Sequence, residues 1–130
     1  MEAIRVKRVG GPEVLEWVEV PVPAPKGYEA TVKIAASGVN DTDVYYREGR
    51  YETVLPFVVG QEAAGEVVAI GSHVKSIRVG DRVGYTMLLG SYAEYAPVPA
   101  DRLVKIPAGV NDRQAAAAMF AGNDRALPVA

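Results

Sequence analysis

Cysteine is absent from the 130-residue chain, and histidine occurs once, at His73. Without thiols there is no disulfide framework, no thiolate-bound metal and no cysteine nucleophile, and one imidazole cannot complete the usual nitrogen and sulfur shell of zinc. The chain also lacks a Gly-x-Gly-x-x-Gly turn and a Gly-x-x-x-x-Gly-Lys loop. It therefore has no glycine turn of the usual kind on which to seat a dinucleotide. No apolar run approaches the length of a membrane helix, and Met1–Lys7 lacks the basic flank and apolar core of a secretory signal. A cytoplasmic protein with no membrane partner is expected. Lys plus Arg number 14 against 16 Asp plus Glu, a net charge of -2. Such a balance gives no broad attraction for a phosphate backbone, so nucleic acid is not an expected partner.

What is present is a chain with a core. Hydrophobic residues make up 49%, charged residues 23%, and mean hydropathy is +0.05, the balance of one globular domain. The 13 glycines and 9 prolines are scattered at short intervals, which favours many short strands. Ile4 and Val6 alternate with Arg5 and Lys7 up to Gly10-Gly11-Pro12, and Leu15 to Val20 supplies the partner strand. Pro21, Pro23 and Pro25 cannot donate ladder hydrogen bonds, so that stretch reads as an extended edge or loop. Ala30, Val32 and Ile34 then face one way while Glu29, Thr31 and Lys33 face the other. Further strands are expected over 63–71, after the turn at Val79-Gly80-Asp81, over 90–98 and over 103–106.

Two segments read as helices. Asn40 and the acids Asp41 and Asp43 open the first, which Arg47 and Gly49 close. Asn111 with Gln114 three residues on forms a capping-box pattern before an Ala-rich run to Phe120 and Gly122. The body is thus mainly β with two short helices.

Candidate chemistry is sparse. No serine near His73 has a nucleophile-elbow pattern, so His73 reads as a solvated turn residue. Asp41 and Asp43 lie two apart on a helix and do not face each other, which argues against an acid-base pair. The tyrosines are more informative: Tyr45, Tyr46 and Tyr51 crowd around the first helix near Asn40 and Asp43. They serve either as core packing or as a flat, hydroxylic wall for a planar ligand. Tyr92, Glu94 and Tyr95 carry the same two readings.

Several separated motifs share one order: Gly10-Gly11-Pro12-Glu13-Val14-Leu15, Gly38-Val39-Asn40 with Asp43 and Tyr45-Tyr46-Arg47, Leu55-Pro56, Gly60-Gln61-Glu62 with Gly65, Val79-Gly80-Asp81-Arg82-Val83, Gly90-Ser91-Tyr92-Ala93-Glu94-Tyr95 and Leu103-Val104-Lys105-Ile106-Pro107. With these the chain resembles the N-terminal part of the NADPH:quinone oxidoreductases, the zinc-independent, zeta-crystallin-like branch of the medium-chain dehydrogenase/reductase superfamily. The resemblance covers residues 1–122. It implies a GroES-like, partly open β-barrel forming the catalytic side of the cleft, a 123–130 tail without a match, and a Rossmann cofactor domain absent from this chain. It implies Tyr45 and Tyr51 as catalytic wall residues, Asn40 and Asp43 on the cofactor side, and Glu62 as a framework acid; Asp43 reads equally as a helix cap. NADPH and a quinone are the implied cofactor and substrate of the full-length parent. This chain alone is expected to hold no cofactor, to be inactive and to self-associate through an exposed domain seam. A stand-alone GroES-like association module and a fragment of an enone or alkenal reductase are the alternative readings.

Two departures from the family pattern stand out. The zinc-dependent relatives carry a Cys where Asn40 falls and a His where Gln61 stands, and Val59 occupies a position where proline is usual. With no Cys and a lone His, elemental analysis of the purified chain is expected to show no stoichiometric zinc, and one tightly held zinc per chain would contradict the zinc-independent assignment.

Overall fold

The computed structural model describes residues 1–124, with side chains described as far as Ala118. The expectations for Met119, Phe120 and most of the 123–130 tail therefore fall outside the described side chains or residues. The alternation around Ile4 forms β1 (Glu2–Val6), antiparallel to β2 (Leu15–Glu19) with Ile4 opposite Trp17. A single 3-10 turn at Pro12–Val14 ends the reversal between them. Two strands seldom suffice alone. The short β4 (Phe57–Val58) pairs with the other side of β1 and completes a three-stranded sheet.

The second sheet has five antiparallel strands in the order β7-β3-β5-β6-β8. Its long central pair is β3 (Glu29–Ser37) and β5 (Glu62–Ile70), flanked by β6 (Arg82–Thr86), β7 (Tyr95–Pro99) and β8 (Val104–Lys105). Ala30, Val32, Ala63, Val67, Val83, Tyr85, Ala96 and Val98 form its buried core. A second core lies under the small sheet, built from Val6, Val14, Phe57 and Val59. The architecture is mainly β, a GroES-like, partly open barrel.

One strand expectation holds with a covered side chain, and one needs correction. Thr31 does not face water: it is buried, and its hydroxyl donates to the Pro23 carbonyl at 3.2 Å. The proline-rich loop lies over that face, while Ala30 and Val32, with Ile34 packed against them, keep to the opposite one in the core; the register shift beside Thr31 leaves its extra residue, Val68, on β5. The segment 90–98 is not one strand. Only Tyr95–Pro99 pairs as a strand, while residues 90–94 cross from one sheet to the other. Ile4 N–H donates to the Tyr92 carbonyl (2.8 Å), Glu94 N–H to the Glu2 carbonyl (3.1 Å), and Ile34 N–H to the Glu94 carbonyl (2.8 Å). That crossing closes the barrel on this side.

Helix α1 (Asp41–Glu48) ends at Gly49 in the left-handed conformation, as its sequence predicts. In α2 (Asp112–Asp124) the Asn111 and Gln114 side chains each accept the other's backbone N–H, at 2.8 and 3.1 Å. One side of the Ala-rich run is docked: Ala115 and Ala116 are buried against Ala64 with Ala36, Ile106 and Val110 alongside, while Ala117 is exposed. The small residues on both sides allow close approach, and Arg82 pins the helix start through Asp112 (2.9 Å) and the Val110 carbonyl (2.8 Å).

Val59 shows why proline is dispensable there. Its N–H donates to the Ile4 carbonyl at 3.2 Å, its own carbonyl accepts from Tyr92 N–H at 3.0 Å, and its side chain is buried in the second core. Val59→Pro removes that donor and leaves the Ile4 carbonyl short of a partner. It is expected to lower stability by about 1–3 kcal/mol in urea denaturation; no change would show that the bond carries nothing.

Candidate functional site

The first turn of α1 is the junction of a polar network. Asn40 precedes the helix in extended conformation, and its N–H donates to Asp43 Oδ2 at 2.9 Å, the reciprocal half of a capping box. The Tyr92 hydroxyl donates to the same Oδ2 at 2.8 Å. The Asn40 carboxamide turns the other way and donates from Nδ2 to Glu62 Oε1 at 2.9 Å. Behind Glu62, its N–H reaches Ser91 Oγ at 3.3 Å, and the Ser37 hydroxyl donates to the Ser91 carbonyl. Asp43 is 5% exposed, Glu62 1% and Ser91 0%, so both carboxylates lie inside the protein, where donors meet Asp43 Oδ2 and Glu62 Oε1. Burying a charge without such donors is expensive.

Burial raises the hydroxyls of Tyr85 and Tyr92 well above the ordinary tyrosine range. At Tyr92 the hydrogen bond to Asp43 and the negative charge of Asp43 add to the burial effect. Both phenols are therefore held protonated; Tyr92 donates to Asp43, whereas the Tyr85 hydroxyl is buried without a hydrogen-bond partner among the described residues.

The other end of α1 is aromatic. Tyr51 meets Tyr46 at 5.2 Å between ring centroids and Tyr45 at 6.0 Å, both edge to face, and Tyr46 continues to Phe57 at 6.3 Å. The Arg50 guanidinium lies over the Tyr45 ring at 4.8 Å. A groove of about 540 Å³ opens beside this cluster, lined by Tyr46, Tyr51, Val9, Gly49, Val54 and Leu55 among others. Tyr51 is 46% exposed there. The structure thus brings Tyr45 and Tyr51 together, with Tyr46 rather than Tyr45 on the groove wall. Asn40 and Asp43 sit at the start of the same helix, roughly 7.5 and 3 Å before Tyr45 along its axis at 1.5 Å per residue. The sequence weighed Tyr45, Tyr46 and Tyr51 together as a wall, the resemblance carried over only Tyr45 and Tyr51, and Tyr92 and Ser91 were missed as parts of the network. No local signal could have tied Tyr92 to Asp43, 49 residues away.

His73, read as a solvated turn residue, is exposed and stacks on Tyr28 at 4.8 Å between centroids. Among the described residues no group of three or more His, Asp or Glu is placed to hold a metal ion, and no helix is long and apolar enough to cross a membrane.

An antiparallel partial barrel of two sheets, with one short helix carrying polar groups at its start and tyrosines at its end, defines the class as a GroES-like domain. Residues 26–108 match the alcohol dehydrogenase GroES-like domain, and the chain belongs to that family. It is 44% identical over 121 residues to a quinone oxidoreductase of Pseudomonas aeruginosa and 41% identical to one of Sus scrofa, covering 92% and 90% of this chain. Each match covers 37% of the relative, so the chain spans little over a third of the length of these proteins. Among solved structures, a mycobacterial quinone oxidoreductase superposes with a TM-score of 0.90 at 43% identity. The Escherichia coli quinone oxidoreductase complexed with NADPH gives 0.91 at 40%. Each alignment covers 94% of this chain and 38% of the other.

The two raised tyrosines make a pH prediction. Above pH 10 the unfolded chain loses protons that folded Tyr85 and Tyr92 retain, so their contribution to stability is complete below that pH and is lost as pH rises past it. In an alkaline titration followed at 295 nm, two of the seven tyrosines are expected to ionise late and together with unfolding. Tyr92→Phe should remove one of those two late signals; an unchanged trace would place Tyr92 outside the network.

Proposed function

We propose that this chain is the catalytic-side domain of an NADPH-dependent quinone oxidoreductase. The observation that carries the reading is the half-open aromatic groove beside α1, in a domain whose relatives over nine-tenths of its length bear that name. Its volume lies in the range of small-molecule sites, and Tyr46, Tyr51, Val54 and Leu55 suit a flat ring. The cofactor fits this chain in part. The groove and the Asn40 end of α1 suit a nicotinamide ring and an acceptor, whereas the chain has no glycine turn for a pyrophosphate.

When bound, the reduced nicotinamide supplies a hydride to the acceptor. This chain's residues position and stabilise. Reduction of a quinone develops negative charge on an oxygen, and the Tyr51 hydroxyl on the groove wall is a donor for it. Tyr45 and Tyr46 hold the Tyr51 ring by edge-to-face contact, so the hydroxyl is presented from a rigid body. Asn40, fixed at the far end of the helix, faces the cofactor side with its carboxamide.

In the intact enzyme carrying this domain, Tyr51→Phe is expected to lower kcat/KM for 1,4-benzoquinone about tenfold, since one hydrogen bond to developing charge is lost while stability is kept. Unchanged kinetics would return Tyr51 to a packing role. Turnover of enones with no turnover of quinones would move the reading to an enone reductase. The 130-residue chain by itself is expected to oxidise no NADPH with the same quinone, and robust oxidation by it would overturn the assignment of this chain as one side only of the cleft.

A further inference from the structure

Local support for the Asn40 carboxamide is limited to the capping box with Asp43. Asn40 stands just ahead of an eight-residue helix, a length that barely sustains itself in water. The residue before it, Val39, is 82% exposed. The remaining support comes from two other parts of the chain. Glu62, at the start of β5, takes a hydrogen from Asn40 Nδ2 at 2.9 Å and so turns that edge of the amide inward. Tyr92, on the crossing between the sheets, donates at 2.8 Å to the Asp43 Oδ2 that also receives the Asn40 N–H at 2.9 Å. Tyr92 thereby reaches Asn40 through Asp43 without touching it.

Gly38 fits the same purpose. A Cβ there would run into the Glu62 carboxylate, while the Gly38 N–H donates to the Glu62 carbonyl at 2.8 Å. The chain is thus kept bare where Glu62 must lie flat against it to reach Asn40.

We propose that Tyr92 and Glu62 are the positioning residues for Asn40, fixing its carboxamide and the first turn of α1 from two sides before any ligand arrives. The catalytic consequence rests on the reading of Asn40 as facing nicotinamide and acceptor. Neither residue needs to meet the substrate. Their effect falls on the transfer step, where small misplacements matter, more than on cofactor binding.

Two measurements test this. In the isotopically labelled 130-residue chain, the Asn40 side-chain amide resonance is followed by NMR in Tyr92→Phe and Glu62→Gln. Tyr92→Phe removes one oxygen and leaves its ring beside Val6, Phe57 and Val59, so the fold is expected to persist. The Asn40 signal should shift in both variants, and its exchange with solvent should rise about tenfold. Val44→Ala, on the exposed face of the same helix, should leave it in place. If Glu62→Gln fails to fold, Gly38→Ala displaces the same carboxylate and serves in its stead. In the intact oxidoreductase, Tyr92→Phe is expected to lower kcat about tenfold with KM for NADPH within about twofold. An unmoved Asn40 signal in the variants overturns the positioning role whatever the kinetics. A moved signal with unchanged kcat supports the positioning role and counts instead against placing Asn40 at the transfer site.

Discussion

A crossing strand segment must satisfy its backbone hydrogen bonds on two sides at once, and residues 90–94 do so by serving both sheets. Their N–H and carbonyl groups reach β1, β3 and the chain at Val59 and Gly60. Gly60 makes this possible: it adopts a φ of 98° and accepts from both Gly90 and Ser91, and a Cβ on it would collide with Ser91 Oγ and the Tyr92 ring. The same five residues carry Ser91 and Tyr92, whose side chains hold Glu62 and Asp43. Barrel closure and the framing of α1 are therefore one structural event. Disturbing the crossing disturbs both.

This coupling explains an otherwise costly arrangement. Glu62 and Asp43 are buried carboxylates in a small domain, and desolvating them opposes folding. They are offset by charge-assisted donors from Asn40 and Tyr92. What the arrangement yields is a short helix held at its weak end. The aromatic end is held differently, by edge-to-face rings with Tyr51 left half open to the groove. One end of α1 is rigid through polar bonds and the other through packing, a combination suited to presenting a hydroxyl and an amide from one element.

The relation of α2 to the sheet follows from side-chain size. Alanines at 64, 115 and 116 bring helix and strand together, and Arg82 ties the helix start to the end of the loop before it. An Ala-rich helix read by itself looks apolar on too many sides to be settled. Against a sheet that offers Ala64 and Ala36, one of those sides has a place to go.

The sequence by itself determined the features whose partners lie within a few residues: the β1-β2 hairpin, α1 from Asn40 to Gly49, the Asn111 and Gln114 box, and the family pattern that implies the barrel. These rest on periodicity, capping and turn chemistry, which act over one turn or one pleat. Tertiary structure decided the burial of Thr31 under Pro23, the splitting of 90–98 into a crossing and a strand, the docking of α2, and the choice of Tyr46 as a groove wall. It also decided that Asn40 is held by Glu62, 22 residues on, and Asp43 by Tyr92, 49 residues on. No local rule encodes those bonds, because they exist only when sheet order brings separate strand ends together and excludes the water that would otherwise satisfy the same polar groups.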